Sequence, residues 1–514
     1  MVLGTALALL LTGCAQAPAE ETPVRSLSPV YTDWSGLTPY QPPRDQYTRR
    51  YETYTDTLIP AGDYGPLIPF AGAVCTRTEG LRWTEDYQLY GLVTLEGEVV
   101  TDPVFSNAFP IVSYRGRRET TGALLLNRTF TGPDGQPEAR AAVCAGDGSW
   151  CTGFLYTYNW EYLSCGDLSR GIPLQKGETQ FVFVDPKTGE ELRVVDTAPA
   201  RAVGVYPDEL FWRLAPGEDF AGFSTWGEDG LERYFVYDLN EGTVTPAAGD
   251  TEYAGIFSEG LCAARNSGGL WGYLDGQGRW AIDPEYDEAC DFQNGGAVVR
   301  KGERWMVLNR DGSARLTLPE GCALEWNNDT AWAFFDRDAE GGGNAVLLDE
   351  NYQVIPIPEG AEPSCLSYTG GGGIFWREGE EWVVLSGGER RTSSCPGTPA
   401  DAWGNYVLQD DGHGTWYLVD LDTGAVRTFE GVSYMMFQLD TVTGEPYLWL
   451  SREENGGWEL RDLEGNLLAR QDYDSTGSVE MAGGLVARWE KDRFTLTTPG
   501  GETVFSWSVA SPED

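Results

Sequence analysis

The chain has 514 residues and a formal net charge of −43, with 79 acidic side chains against 36 basic ones and a single histidine. Such a surface repels a polyanion, and the longest basic run is only Arg115-Gly116-Arg117-Arg118, so nucleic acid is a poor candidate partner. The acidity itself reads as solubility outside the cell.

Val2 to Leu11 is an apolar run far shorter than the ~20 residues that cross a bilayer as a helix, and it reads as the core of a signal peptide. It ends at Leu11-Thr12-Gly13-Cys14, which resembles the lipobox of bacterial lipoproteins: an aliphatic residue, two small residues, then the cysteine whose thiol receives a diacylglycerol. The resemblance implies a signal peptide over residues 1–13 and a lipid on Cys14, which would hold the protein to the outer face of a bacterial membrane. No Lys or Arg precedes the apolar run, although signal peptides begin with a positive region; a start codon further upstream would supply one.

Residues 14–57 contain Pro18, Pro23, Pro29, Pro39, Pro42 and Pro43 among Ser, Thr, Glu and Tyr, and are expected to form an extended tether. No later stretch is apolar enough to span a membrane, so the remaining ~450 residues are expected to be soluble. Glycine is frequent at 65 residues and helical apolar spacing is rare, a balance that favours short strands and tight turns.

From residue 58 to about residue 200 the rhythm is loose. Tyr90-Gly91-Leu92-Val93 turns at Gly97, a weaker hairpin sits near Gly135, and Gln180 to Asp185 turns at Gly189. From residue 201 to 514 the rhythm is steady. Strand-turn-strand patterns turn at Gly242, Gly278, Gly312, Asn351, Gly388, Gly424, Gly465 and Gly501, seven intervals with a mean of 37 residues. A spacing that regular marks a repeat architecture. Each unit offers a further strand before its hairpin, as at Gly296 to Arg300 or Leu485 to Arg488, and some offer another after it. Four short strands per unit predict an all-β, β-propeller-like fold, the alternative being an open curved array of hairpin repeats. Two β modules, or one ring of about eight units behind a smaller β region, would place a boundary between Asp196 and Asp219.

The segment Phe257 to Gly312 is similar to the WG-repeat family of bacterial surface and secreted proteins. The matching residues are Phe257, Glu259-Gly260-Leu261, Trp271-Gly272-Tyr273 with Asp275, the turn glycine Gly278, and Pro284 with Tyr286-Asp287. A second copy begins at Phe292 and Gly296 but carries Trp305-Met306 where the family has Trp-Gly, and Tyr90-Gly91 with Gly97, Pro103 and Phe105 resembles a diverged copy. Further on, Tyr417 to Gly424 resembles the Asp-x-x-Thr-Gly hairpins of quinoprotein-type propellers, though Asp-Thr-Gly is also ordinary turn chemistry. The WG resemblance implies an extracellular binding or scaffold role and brings no catalytic residues with it.

Nine cysteines remain once Cys14 is set aside, so at least one has no partner within the chain. Cys144 and Cys151 bracket a turn and are placed to close a small disulfide; Cys262 and Cys290 fall on neighbouring strands, and the other reading of these thiols is as small buried apolar groups. Cysteines at zinc-knuckle spacing are absent and His413 stands in a glycine-rich loop, so neither a metal site nor a Ser-His-Asp triad is expected. Asp336, Asp338 and Glu340 resemble the start of a calcium loop, but Leu347 occupies the position of its closing carboxylate and the stretch reads as a hairpin tip. Trp271, Trp305, Trp382, Trp416 and Trp458 recur once per unit and are expected to be core wedges; Trp332, Trp376 and Trp449 have no assignment from the pattern. The sequence thus predicts a membrane-tethered binding or scaffold module for an extracellular protein or polysaccharide, with no cofactor and no catalytic residue assigned. The alternative is a surface glycan hydrolase or lyase that works with carboxylates alone.

Overall fold

The structure is a computed structural model. It describes residues 38–39, 59 and 64–509, apart from 80–82, 115–117, 132–136, 159–167, 169–170, 178, 205–216, 228, 328–330, 337–344, 367–372, 387–388, 453–456, 472–476 and 491. The residues named for the signal peptide and for Cys14, and nearly all of the tether, lie outside the described residues.

Among the described residues the strands form ten antiparallel sheets, and the one α-helix is the single turn Ala198–Ala202. Seven of the sheets have four strands in simple consecutive order, starting from Thr251–Ser258, Glu288–Ala289, Cys322–Asn327, Ser364–Cys365, Thr398–Trp403, Val432–Leu439 and Ser478–Ala482. This is the four-strand unit expected from the spacing of the turns. Two sheets have three strands, beginning at Leu67–Glu79 and Phe220–Trp226. The remaining sheet has eight strands and holds two units side by side. One comprises Asn107–Tyr114, Arg118–Thr131 and Pro137–Ala145; the other comprises Ile172–Lys176, Gln180–Val184 and Glu191–Asp196. Tyr156 bridges them, pairing with Ala141 on one side and Lys176 on the other.

The hairpins turn where the glycines predicted. Gly278 shows why: its φ is +72°, and a Cβ there would lie 2.7 Å from the Pro246 carbonyl oxygen. Asp275 prepares the same turn by accepting the Gln277 and Arg279 N–H groups at 2.9 and 3.0 Å. At the turn marked by Asn351 the left-handed residue is instead Tyr352, with φ +60°. Its buried phenol donates to the Gly296 carbonyl at 2.9 Å, a tertiary contact that offsets the strained backbone. Gly388 lies outside the described residues.

The Trp-Gly dipeptide also has a geometric cause. A Cβ on Gly272 would meet the Ile282 carbonyl oxygen at 2.5 Å, at the point where the strand register shifts between Trp271 and Tyr273. Gly91 occupies the same situation: a Cβ on it would lie 2.7 Å from the Thr101 carbonyl oxygen, at a register shift between Tyr90 and Leu92. Where Met306 replaces the glycine, that shift is missing and only the following one, between Val307 and Leu308, remains. Glycine is therefore what permits the first of the two bulges.

A four-stranded sheet has two faces, and each is buried against a neighbour. Eleven hydrophobic clusters do this in succession. Phe105 and Leu126 join the first unit to the second, and Leu125 and Val182 join the second to the third. Phe183 and Phe223 carry the core across the 196–219 boundary into the next unit. The series continues through Phe257, Tyr273, Trp332, Trp376, Val407 and Phe437 to Met481. The eleventh cluster packs Phe494, Phe505 and Trp507 of the last sheet on Ile68 and Phe70 of the first. Phe70 lies 4.9 Å from the Trp507 ring, and the Trp507 indole N–H donates to the Gly72 carbonyl at 3.1 Å. The array closes on itself, as a propeller does and an open spiral does not.

Acidic side chains tie successive units at their inner turns. Glu218 accepts the Glu259 and Gly260 N–H groups at 2.7 and 2.9 Å, and Glu259 in turn accepts the Gly295 N–H at 3.0 Å. Asp440 is the most fully engaged. It accepts Val442 and Thr443 in its own hairpin, each at 2.9 Å, and Gly483 and Gly484 in the next unit at 2.8 and 2.7 Å. Hydrogen bonds to a buried carboxylate are among the stronger ones in proteins.

Replacing Asp440 by Ala is expected to lower unfolding free energy by about 2–4 kcal/mol in denaturant titration, because four N–H donors lose their acceptor; a loss below about 0.5 kcal/mol contradicts the clasp. Truncation after Gly424 removes the last units and exposes the closing face of Phe70. Ring closure predicts that the remaining fragment loses fixed tertiary structure throughout, read by near-ultraviolet circular dichroism, whereas an N-terminal part that stays folded indicates independent stacking.

Candidate functional site

The residues that the sequence singled out for chemistry do not converge. His413 is exposed at a hairpin tip, where its backbone N–H donates to Asp411 at 2.7 Å, and Asp411 also accepts the Thr415 N–H at 2.9 Å. Asp411 is held below the usual carboxylate range by those backbone N–H groups. The pair builds a turn. Of the calcium-like stretch, residues 337–344 lie outside the described residues. Among the described residues no three His, Cys, Asp or Glu side chains gather as a metal site.

Cys144 and Cys151 are joined by a disulfide, as their placement across a turn predicted. Cys262 and Cys290 are not joined to one another. Each is a thiol: Cys262 is buried and leans on the Ala263 carbonyl, and burial pushes the Cys290 thiol up to about 11. Of the tryptophans expected in the core, Trp305 and Trp416 are buried, while Trp271, Trp382 and Trp458 are half-buried. Trp332 and Trp376, which the pattern left unassigned, are core residues.

Convergence occurs at the ring closure instead. Two clefts lie there, of about 430 and 380 Å³, and they share the wall formed by Pro110, Thr441 and Val442. The wall is a consequence of Asp440, which folds residues 441–443 over its own carboxylate and pins them to the next unit; the Thr441 N–H adds a bond to the Met481 carbonyl at 3.0 Å. Val442 then packs on the closing hydrophobic cluster.

The larger cleft is lined by Gln88, Tyr90, Glu480, Trp489 and Glu490, with Pro69 and Pro110 at its walls, and among the described residues no Lys or Arg lines it. The Tyr90 hydroxyl donates to the Gln88 side-chain oxygen at 3.0 Å, and burial raises the Tyr90 pKa above the ordinary tyrosine value, so it remains a protonated donor at neutral pH. Trp489 meets the Phe494 ring edge-on, with centroids 5.1 Å apart. The smaller cleft is lined by Thr120, Thr121, Asp147, Ser149, Trp150 and Lys187, and the Trp150 indole N–H is fixed by the Lys187 carbonyl at 2.8 Å. Aromatic rings flanked by amide, hydroxyl and carboxylate groups suit recognition of a ligand with both apolar faces and polar edges.

The sequence pattern does not mark this site. Tyr90 and Gly97 resemble a diverged repeat, and nothing in the spacing singles out Trp489. Its parts are separated by nearly 400 positions, from Gln88 to Glu480, and only closure brings them together.

Residues 271–305 match the family model described as WG containing repeat. The chain carries a WG repeat. The matched stretch is the unit whose Trp271-Gly272 register shift is described above, together with the start of the unit bearing Trp305. No curated protein matches the sequence. Among solved structures the chain is similar to apo AztD from Citrobacter koseri, with 11% identity, 65% of this chain and 92% of that chain covered and a TM-score of 0.25. It is similar also to BamB from Moraxella catarrhalis, at 11% identity, covering 55% and 92% with a TM-score of 0.23. A structure of a eukaryotic initiation factor matches at 13% identity, covering 75% and 94% with a TM-score of 0.33. The architecture of the chain rests on its own strand pairing and shared cores.

Proposed function

We propose that this WG-repeat protein is a binding or scaffold module, held to the outer face of a bacterial cell membrane through lipid on Cys14, whose partner is an extracellular polymer or protein. The observation that carries the reading is the pair of clefts at the ring closure, where aromatic and polar side chains from opposite ends of the chain are held on a closed β frame. Such a frame costs little to preorganise at the moment of binding, because the strands and the Asp440 clasp already fix the walls. The Leu-Thr-Gly-Cys sequence and the proline-rich segment behind it support the anchor.

Glu480 and Glu490 line the same cleft, and that favours one competing reading: glycan cleavage by a pair of carboxylates, as in a hydrolase or lyase. One assay separates the two. The full chain in mild detergent is incubated with panels of cell-wall polysaccharides and surface proteins, scoring both retention and reducing-end release. Retention without release is the expected result. Release that a Glu480→Gln or Glu490→Gln change abolishes makes the protein an enzyme, and retention of nothing removes the binding reading.

The anchor has its own test. Cys14→Ser is expected to move the protein from the membrane fraction to the soluble fraction, and unchanged fractionation with no lipid on the N-terminal peptide refutes it.

A further inference from the structure

We propose that the smaller cleft is a site for a small zwitterion, an α-amino acid or dipeptide with an apolar side chain. The inference goes beyond the polymer or protein partner proposed above and does not depend on it.

Two opposite charges line this cleft without pairing. Asp147 and Lys187 come from hairpin turns of different units, the second and the third, and they form no ion pair with one another. Asp147 gives one carboxylate oxygen to the Ser149 N–H at 2.8 Å, which shapes its own turn. Lys187 is exposed, and its backbone N–H donates to Asp185 at 2.7 Å. An anion and a cation held apart on the wall of one cavity are matched by a ligand that carries both charges, its ammonium toward Asp147 and its carboxylate toward Lys187. A ligand with one charge engages one of them and leaves the other without a partner in the filled cleft.

Trp150 links the two turns. Its indole N–H donates to the Lys187 carbonyl at 2.8 Å, and its ring lies so close to Gly189 that a Cβ there would come within 2.6 Å of it. The other walls are apolar. Leu67, Ala123 and Leu124 are almost wholly buried, and Pro110 and Val442 stand beside them. A charged end next to apolar walls and an indole ring calls for a ligand of the same division, with a zwitterionic head and a hydrocarbon or aromatic side chain. The volume of about 380 Å³ lies near the lower end for small-molecule sites, which suits one or two residues and not a long segment.

The loop that carries Asp147 is pinned on three sides. The Cys144–Cys151 disulfide closes its base, the Gly146 carbonyl accepts from Leu67 of the first unit at 2.7 Å, and the Gly146 N–H donates to the Gly122 carbonyl at 2.7 Å. The carboxylate is therefore in place before a ligand arrives, and binding has little left to order.

The test titrates the full chain in mild detergent by calorimetry with leucine, phenylalanine and leucylleucine, and with N-acetylleucine and leucinamide, which lack the ammonium and the carboxylate in turn. Zwitterions are expected to bind, and each one-charge analogue to bind about tenfold more weakly. The comparison of leucine with leucylleucine reads the length of the site. Asp147→Asn keeps the side-chain shape and the acceptor for Ser149; it is expected to remove the preference for leucine over N-acetylleucine and to keep the preference over leucinamide. Lys187→Met is expected to do the reverse. This crossed pattern requires contact with the two named charges, whereas damage to the cleft weakens all ligands alike. No binding of any zwitterion, binding that ignores both substitutions, or an equal loss for every ligand overturns the inference, and each leaves the polymer or protein partner standing. An empty result in the wider panel with the crossed pattern intact removes that partner and leaves this site.

Discussion

Everything in this molecule depends on burying two faces of every small sheet. An antiparallel sheet of four short strands that is apolar on both faces cannot hide that surface alone and must bury each face against another element. Stacking solves this for every unit except the two at the ends. In an open array the end faces need polar caps. Here the end faces meet each other, with Phe494, Phe505 and Trp507 on Phe70, and no cap is required. Aromatic side chains of this kind bury large areas, each stabilising the fold by about 1.5–3 kcal/mol relative to exposure.

The acidic composition fits this frame in a specific way. Most carboxylates serve the surface, but Glu218, Glu259, Asp401 and Asp440 reach into an adjacent unit and take up N–H groups there, those of turn residues for Glu218, Glu259 and Asp440 and that of Phe437 on an edge strand for Asp401. The Glu259-Gly260 pair has a use in these terms. Glu259 accepts from Gly295 of the following unit, while its own N–H is accepted by Glu218 of the preceding one. Glu218 and Glu259, each two residues ahead of a strand, thereby link three successive units.

Closure also explains where the clefts are. The units between residues 251 and 430 follow one pattern of four strands in consecutive order. At the seam a three-stranded unit, half of an eight-stranded sheet and two four-stranded units come together. Their first strands differ in length, from five residues to thirteen, and the Asp440 hairpin stands between the two clefts found there. Function-bearing irregularity sits where the repeat breaks, as loops and seams do in other rigid scaffolds.

The sequence by itself determined the local structure. Hairpin glycines at a mean spacing of 37 residues, aspartates ahead of them, and Trp-Gly at a bulge are decided within a few residues by allowed backbone angles and carbonyl clashes, so they are legible without a partner. The Cys144–Cys151 disulfide was legible for the same reason, since a turn of six residues sets its geometry. Only the tertiary structure decided that the array closes, that residue 352 bears a left-handed tyrosine held by Gly296, and that Gln88 and Tyr90 share a cleft with Glu480 and Trp489. Periodicity records how each unit meets the next, and that small relative rotation is nearly the same in a ring and in a spiral. Whether its accumulated sum returns to the start is a property of all the interfaces together, and no segment of the sequence carries it.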